Sequence, residues 1–154
     1  MRPSLPLIAS LLLVAACSSD PSRPLTQPAD SAEVLEMVDW NKAPRVTVTL
    51  SDYDFTPAEI QFERGQPYRL HLVNKASGGH DFTAPDFFSA SAIAPSDQAM
   101  APEGKVDLAK GESREIRLVP LVAGDYPVVC THFMHAPLGM KGKATIADQP
   151  KNAR

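Results

Sequence analysis

Cysteine is scarce in this chain. Only Cys17 and Cys130 occur in 154 residues, which excludes a fold stapled by several disulfides. Histidine is scarce too, and four imidazoles are too few for a protein built around several metal centres. Positive charge is not in excess: 15 Lys and Arg stand against 18 Asp and Glu, for a formal net charge of −3. That balance gives no basic surface of the kind nucleic acid requires. A hydrophobic run long enough to span a bilayer is missing, as are internal repeats and low-complexity tracts. Proline is plentiful, at 15 residues, and predicts turns and breaks in place of long helices. A chain of 154 residues has room for one domain with a proper core and not for two of ordinary size.

The first sixteen residues read as an export signal. Arg2 is followed by the compact apolar run 5-LPLIASLLLVAA-16, which suits a signal-peptide core and is too short for a stable membrane span. The run ends in 13-LVAAC-17, small residues directly before a cysteine, and this resembles a bacterial lipobox. The resemblance implies that Cys17 is lipidated, becomes the new N-terminus, and holds the protein at a membrane surface without spanning it. Residues 17–30, with three prolines and no hydrophobic pattern, are then the tether, able to reach about 40 Å. The domain proper is residues 31–154. With Cys17 used in processing, Cys130 is the one thiol of the mature domain, so no intramolecular disulfide can form. An unpaired thiol in an oxidising compartment is protected if it ligates a metal.

Residues 30-DSAEVLEMVDW-40 are expected to form a short helix with Asp30 as its N-cap. From Arg45 onward the hydrophobic period is two. The segments 45-RVTVTL-50, 59-EIQFE-63, 68-YRLHLVN-74, 105-KVDLA-109, 114-REIRLV-119, 126-YPVVC-130 and 143-KATIA-147 alternate, with turn residues at 64-RGQP-67, 110-KGES-113 and 123-AGD-125. Short strands at this spacing predict an all-β fold, an antiparallel Greek-key β-sandwich. Residues 84–102 break the pattern, and 86-DFFSASAIA-94 reads as one or two helical turns capped by Asp86.

The chemistry is concentrated in 130-CTHFMHAPLGM-140, the connection between the last two strands. It holds one cysteine, two histidines and two methionines, all soft-metal donors. Taking His135 gives the spacing Cys-x4-His-x4-Met. His132 lies two residues after the cysteine, too close for comfortable chelation beside it, and is read as a bystander. The remaining partner is His80, in 78-GGHDF-82, after the strand that ends at Asn74. A thiolate, two imidazoles and a weaker thioether form the trigonal set with a long axial sulfur that suits copper cycling between Cu(I) and Cu(II). His71 has the parity of the polar face of its strand; Met134 is read as surface, and Met100 has no assigned role.

These residues resemble the cupredoxins, the small blue-copper proteins, over about two-thirds of the chain, from Arg45 to Ala147, with the ligand spacing of the rusticyanin-like members. The resemblance implies a cupredoxin-like sandwich holding one copper ion, with His80, Cys130 and His135 as equatorial ligands and Met140 as the axial one. It also implies that Gly79 lets its carbonyl approach the metal and that a bond between Asp81 and Thr131 ties the two ligand loops together. His132 and Met134 depart from the family pattern and leave the electronic character, blue or greener, open.

The expected function is therefore that of a non-enzymatic, monomeric one-electron carrier. It is exported, lipid-anchored, and faces the periplasm or cell exterior, and it exchanges electrons with a redox partner protein (a cytochrome, oxidase or reductase). The alternative is copper handling, by a carrier that metallates an oxidase or confers copper tolerance. One cysteine excludes a binuclear copper centre with two bridging thiolates, and a thioether as fourth ligand argues against a zinc hydrolase, which needs an open position.

Overall fold

A computed structural model describes residues 27–149; the signal segment, Cys17 and most of the tether lie outside the described residues. Among the described residues ten strands form two five-stranded sheets. In chain order they are β1 Arg45–Ser51, β2 Asp54–Thr56, β3 Glu59–Glu63, β4 Tyr68–Asn74, β5 His80–Thr83, β6 Ser91–Ile93, β7 Lys105–Leu108, β8 Ser113–Pro120, β9 Gly124–Val129 and β10 Lys141–Ala147. One sheet has the order β2-β1-β4-β8-β6 and the other β3-β10-β9-β5-β7.

The period-two reading holds where the alternation is long. In β4, buried Tyr68, Leu70, Leu72 and Asn74 alternate with half-buried Arg69, His71 and Val73, so one face of the strand meets the core and the other does not. Val48, Leu50, Leu70, Leu72, Ile116 and Leu118 from one sheet face Ile60, Phe62, Phe82, Val106, Val128 and Ile146 from the other, all at most 2% exposed. Burial of this row is the main stabilising term. A chain of aromatic contacts crosses the interior from Phe55 through Phe82, Phe88 and Phe87 to Phe62 and Tyr68, with successive ring centroids 5.0–6.0 Å apart.

The sandwich includes two parallel pairings, β1 with β4 and β3 with β10, among otherwise antiparallel neighbours. The turn 64–67 joins strands of opposite sheets, so β4 returns beside β1 after a crossing that restores the original direction. Parallel neighbours need such a crossover. Strands β2, β5 and β6 have only three, four and three residues. Strand β2 is too short for its single buried residue, Phe55, to announce a period, and β5 and β6 are buried almost throughout.

The helices are smaller than expected and differently capped. Helix α1 spans Ser31–Glu36, and Asp30 occupies its N-cap without a side-chain bond; Ser31 Oγ donates to the Pro28 carbonyl at 2.6 Å instead. Helix α2 spans Pro85–Ser89 with Ala84 at its N-cap, so Asp86 lies in the first turn and is not the cap. Pro85 starts this helix at no cost, because its missing N–H would have had no partner there. The helix serves to insert Phe87 and Phe88 into the core.

Among the described residues no helix is long and apolar enough to cross a membrane.

Candidate metal centre

At one end of the sandwich three connections meet: the β1–β2 turn, residues 75–79 before β5, and residues 130–140 between β9 and β10. The long loop is closed by its own backbone. The Cys130 N–H donates to the Met140 carbonyl at 3.2 Å, and the Met140 N–H donates to the His135 carbonyl at 3.0 Å. His135 N–H to His132 carbonyl (3.1 Å) and Leu138 N–H to Met134 carbonyl (3.0 Å) wind the intervening residues into successive turns. Gly139 has φ +116°, a conformation that side-chain-bearing residues avoid, and it redirects the chain into β10.

The structure brings four of the sequence-predicted residues together. His80 Nδ1 lies 3.2 Å from His135 Nδ1, 3.8 Å from Cys130 Sγ and 3.0 Å from Met140 Sδ. Cys130 Sγ lies 3.4 Å from His135 Nδ1. A triangle with the edges 3.2, 3.4 and 3.8 Å has a circumradius of about 2.0 Å. That is close to the bond length from imidazole nitrogen or thiolate sulfur to a first-row metal, about 2.0–2.3 Å. The donor set and its dimensions therefore fit copper. Cys130 and Met140 are fully buried and His80 is 2% exposed, whereas His135 is half-buried.

Electrostatics favour the neutral forms of His80 and Cys130. Burial, followed by the nearby His135, pulls His80 below the ordinary imidazole value, against an opposing pull from Asp52. Burial pushes the Cys130 thiol up. A cation bound there would displace the thiol proton, so metal affinity and protonation would be linked.

The expected tie between the ligand loops is present. Asp81 is fully buried, and its carboxylate accepts the Thr131 N–H at 2.9 and 3.0 Å and the Thr131 hydroxyl at 2.8 Å. It also accepts the Thr83 hydroxyl at 2.7 Å. His80 and Cys130 are thus locked together through their immediate chain neighbours. Gly79 is half-buried, and a Cβ there would make ordinary contacts with His132 Cε1 at 3.6 Å and the Leu108 carbonyl at 3.7 Å.

The bystanders stay outside the donor cluster. His71 sits in mid-strand opposite Thr47 and Glu115, and Met100 packs against the core. His132 is half-exposed, with its Nε2 3.7 Å from Asp81 and its ring stacked on His135 at 5.4 Å. Met134 is 46% exposed. A second group, Asp81, Asp107 and His132, also comes close enough for metal binding, but the Lys105 ammonium lies 3.0 Å from Asp107 and 3.8 Å from Asp81. That ammonium supplies the countercharge there.

Sequence reasoning missed three residues. Asn74, 1% exposed, donates from Nδ2 to the carbonyls of Gly78 (2.8 Å), Ala109 (3.0 Å) and Leu108 (3.1 Å) and accepts the Ala76 N–H at 2.9 Å. It knots the loop that delivers His80. A polar residue at an inward position of an alternating strand is the signal that marks it. Asp52 and Tyr53 reach the two histidines from the β1–β2 turn: Asp52 Oδ1 is 3.7 Å from His80 Nε2, and the Tyr53 ring meets His135 edge-on at 5.2 Å. Nothing local in the sequence marks either.

Similarity to known proteins falls on the same fold. A reduced auracyanin from the photosynthetic bacterium Roseiflexus castenholzii superposes with a TM-score of 0.51 at 17% identity, over 69% of this chain and 98% of its own. Auracyanin B does so with 0.50 at 21% identity, over 68% and 89%. A multicopper oxidase from Campylobacter jejuni gives 0.50 at 11% identity, over 69% of this chain but only 30% of that protein. A comparison with curated proteins finds no match. The description of the cupredoxin-like domain matches residues 7–146, and the chain belongs to the cupredoxin-like family.

Proposed function

We propose that this chain is a type 1 copper protein that carries one electron at a time, holding one copper ion through His80, Cys130, His135 and Met140. The convergence of two Nδ1 atoms, a thiol and a thioether within 3.0–3.8 Å carries the reading. Copper bound there would supply a one-electron couple. The protein's part is to keep the donors still, because an electron moves fastest when little rearranges with it. Burial of Cys130, Met140 and His80, the Asp81–Thr131 bonds and the Cys130–Met140 backbone bond supply that rigidity. Four protein donors, the set a type 1 copper would take, suit a carrier.

The electron's exit is at His135. Around it Phe133 is 91% exposed, Leu138 55% and Met134 46%, an apolar tip suited to a small, transient interface with a redox protein such as a cytochrome, oxidase or reductase. The signal pattern of residues 1–16 and the lipobox-like Cys17 support export and lipid-anchoring to a bacterial membrane, facing the periplasm or cell exterior. On this reading residues 17–30 form the tether and 31–154 the cupredoxin domain.

Absorption spectroscopy of the Cu(II)-loaded protein tests the reading. An intense thiolate charge-transfer band at one copper per chain, absent in Cys130→Ser, is expected; a colourless complex refutes it. One observation favours copper handling as a second reading: half-exposed His132 stacked on His135, with Met134 beside it, could accept Cu(I) during transfer. Release of Cu(I) to a competing chelator within seconds, slowed in His132→Ala, would support that role.

A further inference from the structure

We propose that Asp52, in the turn between β1 and β2, is a positioning residue that fixes the proton of His80 on Nε2 and favours the oxidised centre. The second half of this inference rests on the copper reading above. His80 Nδ1 faces the other three donors, so its remaining nitrogen, Nε2, determines the tautomer. The group facing Nε2 is the Asp52 carboxylate, at 3.7 Å, an ion-pair distance longer than a hydrogen bond. The carboxylate is held in that place. Ser77, three residues before His80, donates its N–H to Asp52 Oδ1 and Oδ2 at 3.3 and 3.4 Å and its hydroxyl to Oδ1 at 3.0 Å. The loop that carries His80 therefore carries the clamp that orients Asp52.

The chemistry follows from charge. A carboxylate beside one imidazole nitrogen keeps the proton there and leaves the other lone pair free for the metal, while making the ring a better donor. The same negative charge stabilises the doubly charged ion more than the singly charged one. Asp52 is 53% exposed, so solvent weakens the effect without abolishing it. Tyr53 shows that the turn is shaped for this end of the protein. It adopts φ +66°, a strained region for a non-glycine residue, and so sets its ring against His135. One two-residue turn thus faces both imidazoles.

Two measurements test the proposal. In the metal-free protein, nitrogen-15 NMR of the imidazoles should show His80 protonated on Nε2, and Asp52→Ala should shift population to the Nδ1-protonated form. In the copper-loaded protein, Asp52→Asn should raise the reduction potential, changing the Cu(II)/Cu(I) ratio at fixed poise by about fivefold, between the Coulomb limits for bulk water and for a protein surface at about 7 Å. Asp54→Asn serves as the control, since Asp54 is exposed and bonded only to Thr56; its shift should be less than half as large. An unchanged tautomer in Asp52→Ala overturns the positioning role. A shift in Asp52→Asn no larger than in Asp54→Asn overturns the electrostatic role. Absence of the thiolate band in the wild-type protein is a failure of the copper reading instead, and the metal-free measurement still decides whether Asp52 positions His80.

Discussion

Replacing Asp81 tests whether the ligand loops are held by side-chain bonds or only by the backbone. Its carboxylate is fully buried and accepts one backbone N–H and two hydroxyls, at 2.7–3.0 Å. A hydrogen bond to a charged group contributes about 1.5–3 kcal/mol, and a stranded buried donor costs about 1–3 kcal/mol. The two threonine hydroxyls can turn toward other partners, so they count for less than the Thr131 N–H. Asp81→Ala should therefore cost about 3–5 kcal/mol. Asp81→Asn keeps a carbonyl for the Thr131 N–H, and the Thr83 and Thr131 hydroxyls can rotate to accept from the amide; it should cost about 1–2 kcal/mol. At a few degrees per kcal/mol for a domain of this size, the alanine variant should melt about 10–20 °C lower. Urea unfolding of the metal-free proteins measures the difference without any contribution from copper. A copper titration should show affinity falling about 10- to 100-fold, as expected when a group that orients ligands is lost. A loss below about 1 kcal/mol in Asp81→Ala, or an unaltered copper affinity, would refute the reasoning.

Three further outcomes are expected. Asp97 is 4% exposed; burial pushes its carboxyl up, but bonds from Arg117 and Ser96 prevail and hold it below the ordinary value. Its contribution to stability is then complete above the unfolded value of about 3.9 and is lost as pH falls through the folded value. The stability gap between wild type and Asp97→Asn in urea melts should stay constant from about pH 7 to 5 and close below about pH 4. Leu138→Lys, in the middle of the apolar tip, should leave the charge-transfer band intact and slow electron self-exchange at least tenfold; an unchanged rate removes this face as the docking site. The wild-type protein should partition into detergent, and Cys17→Ala should lose lipid labelling and remain unprocessed by the lipoprotein pathway, whereas a lipid-free mature wild-type protein would rule out the anchor.

The sequence by itself determined what depends on neighbours along the chain. Seven strands of four to eight residues were legible because alternation forces one face inward, as in β3 and β4. The cluster 130-CTHFMHAPLGM-140 was legible because thiol, imidazole and thioether are rare donors, and their spacing in one loop restricts which of them can converge. His80 and the Asp81–Thr131 tie could be expected only through resemblance to a family, since 50 residues separate the pair. Tertiary structure decided the rest. The parallel pairing of β1 with β4 and of β3 with β10 depends on which sheet the chain enters after each turn, and alternation is the same in either sheet. The short strands β2 and β6 exist because a longer neighbour supplies their hydrogen bonds, and β5 because β7 pairs along its whole length; none of the three has an alternating hydrophobic run to announce it. Asp52 and Tyr53 are ordinary turn residues until the fold sets them over His80 and His135. Asn74 becomes the knot of the site only when Gly78, Leu108 and Ala109 turn their carbonyls toward it. Donor chemistry is a property of residues, whereas the positions that make four donors a centre are set by contacts between segments far apart in the chain.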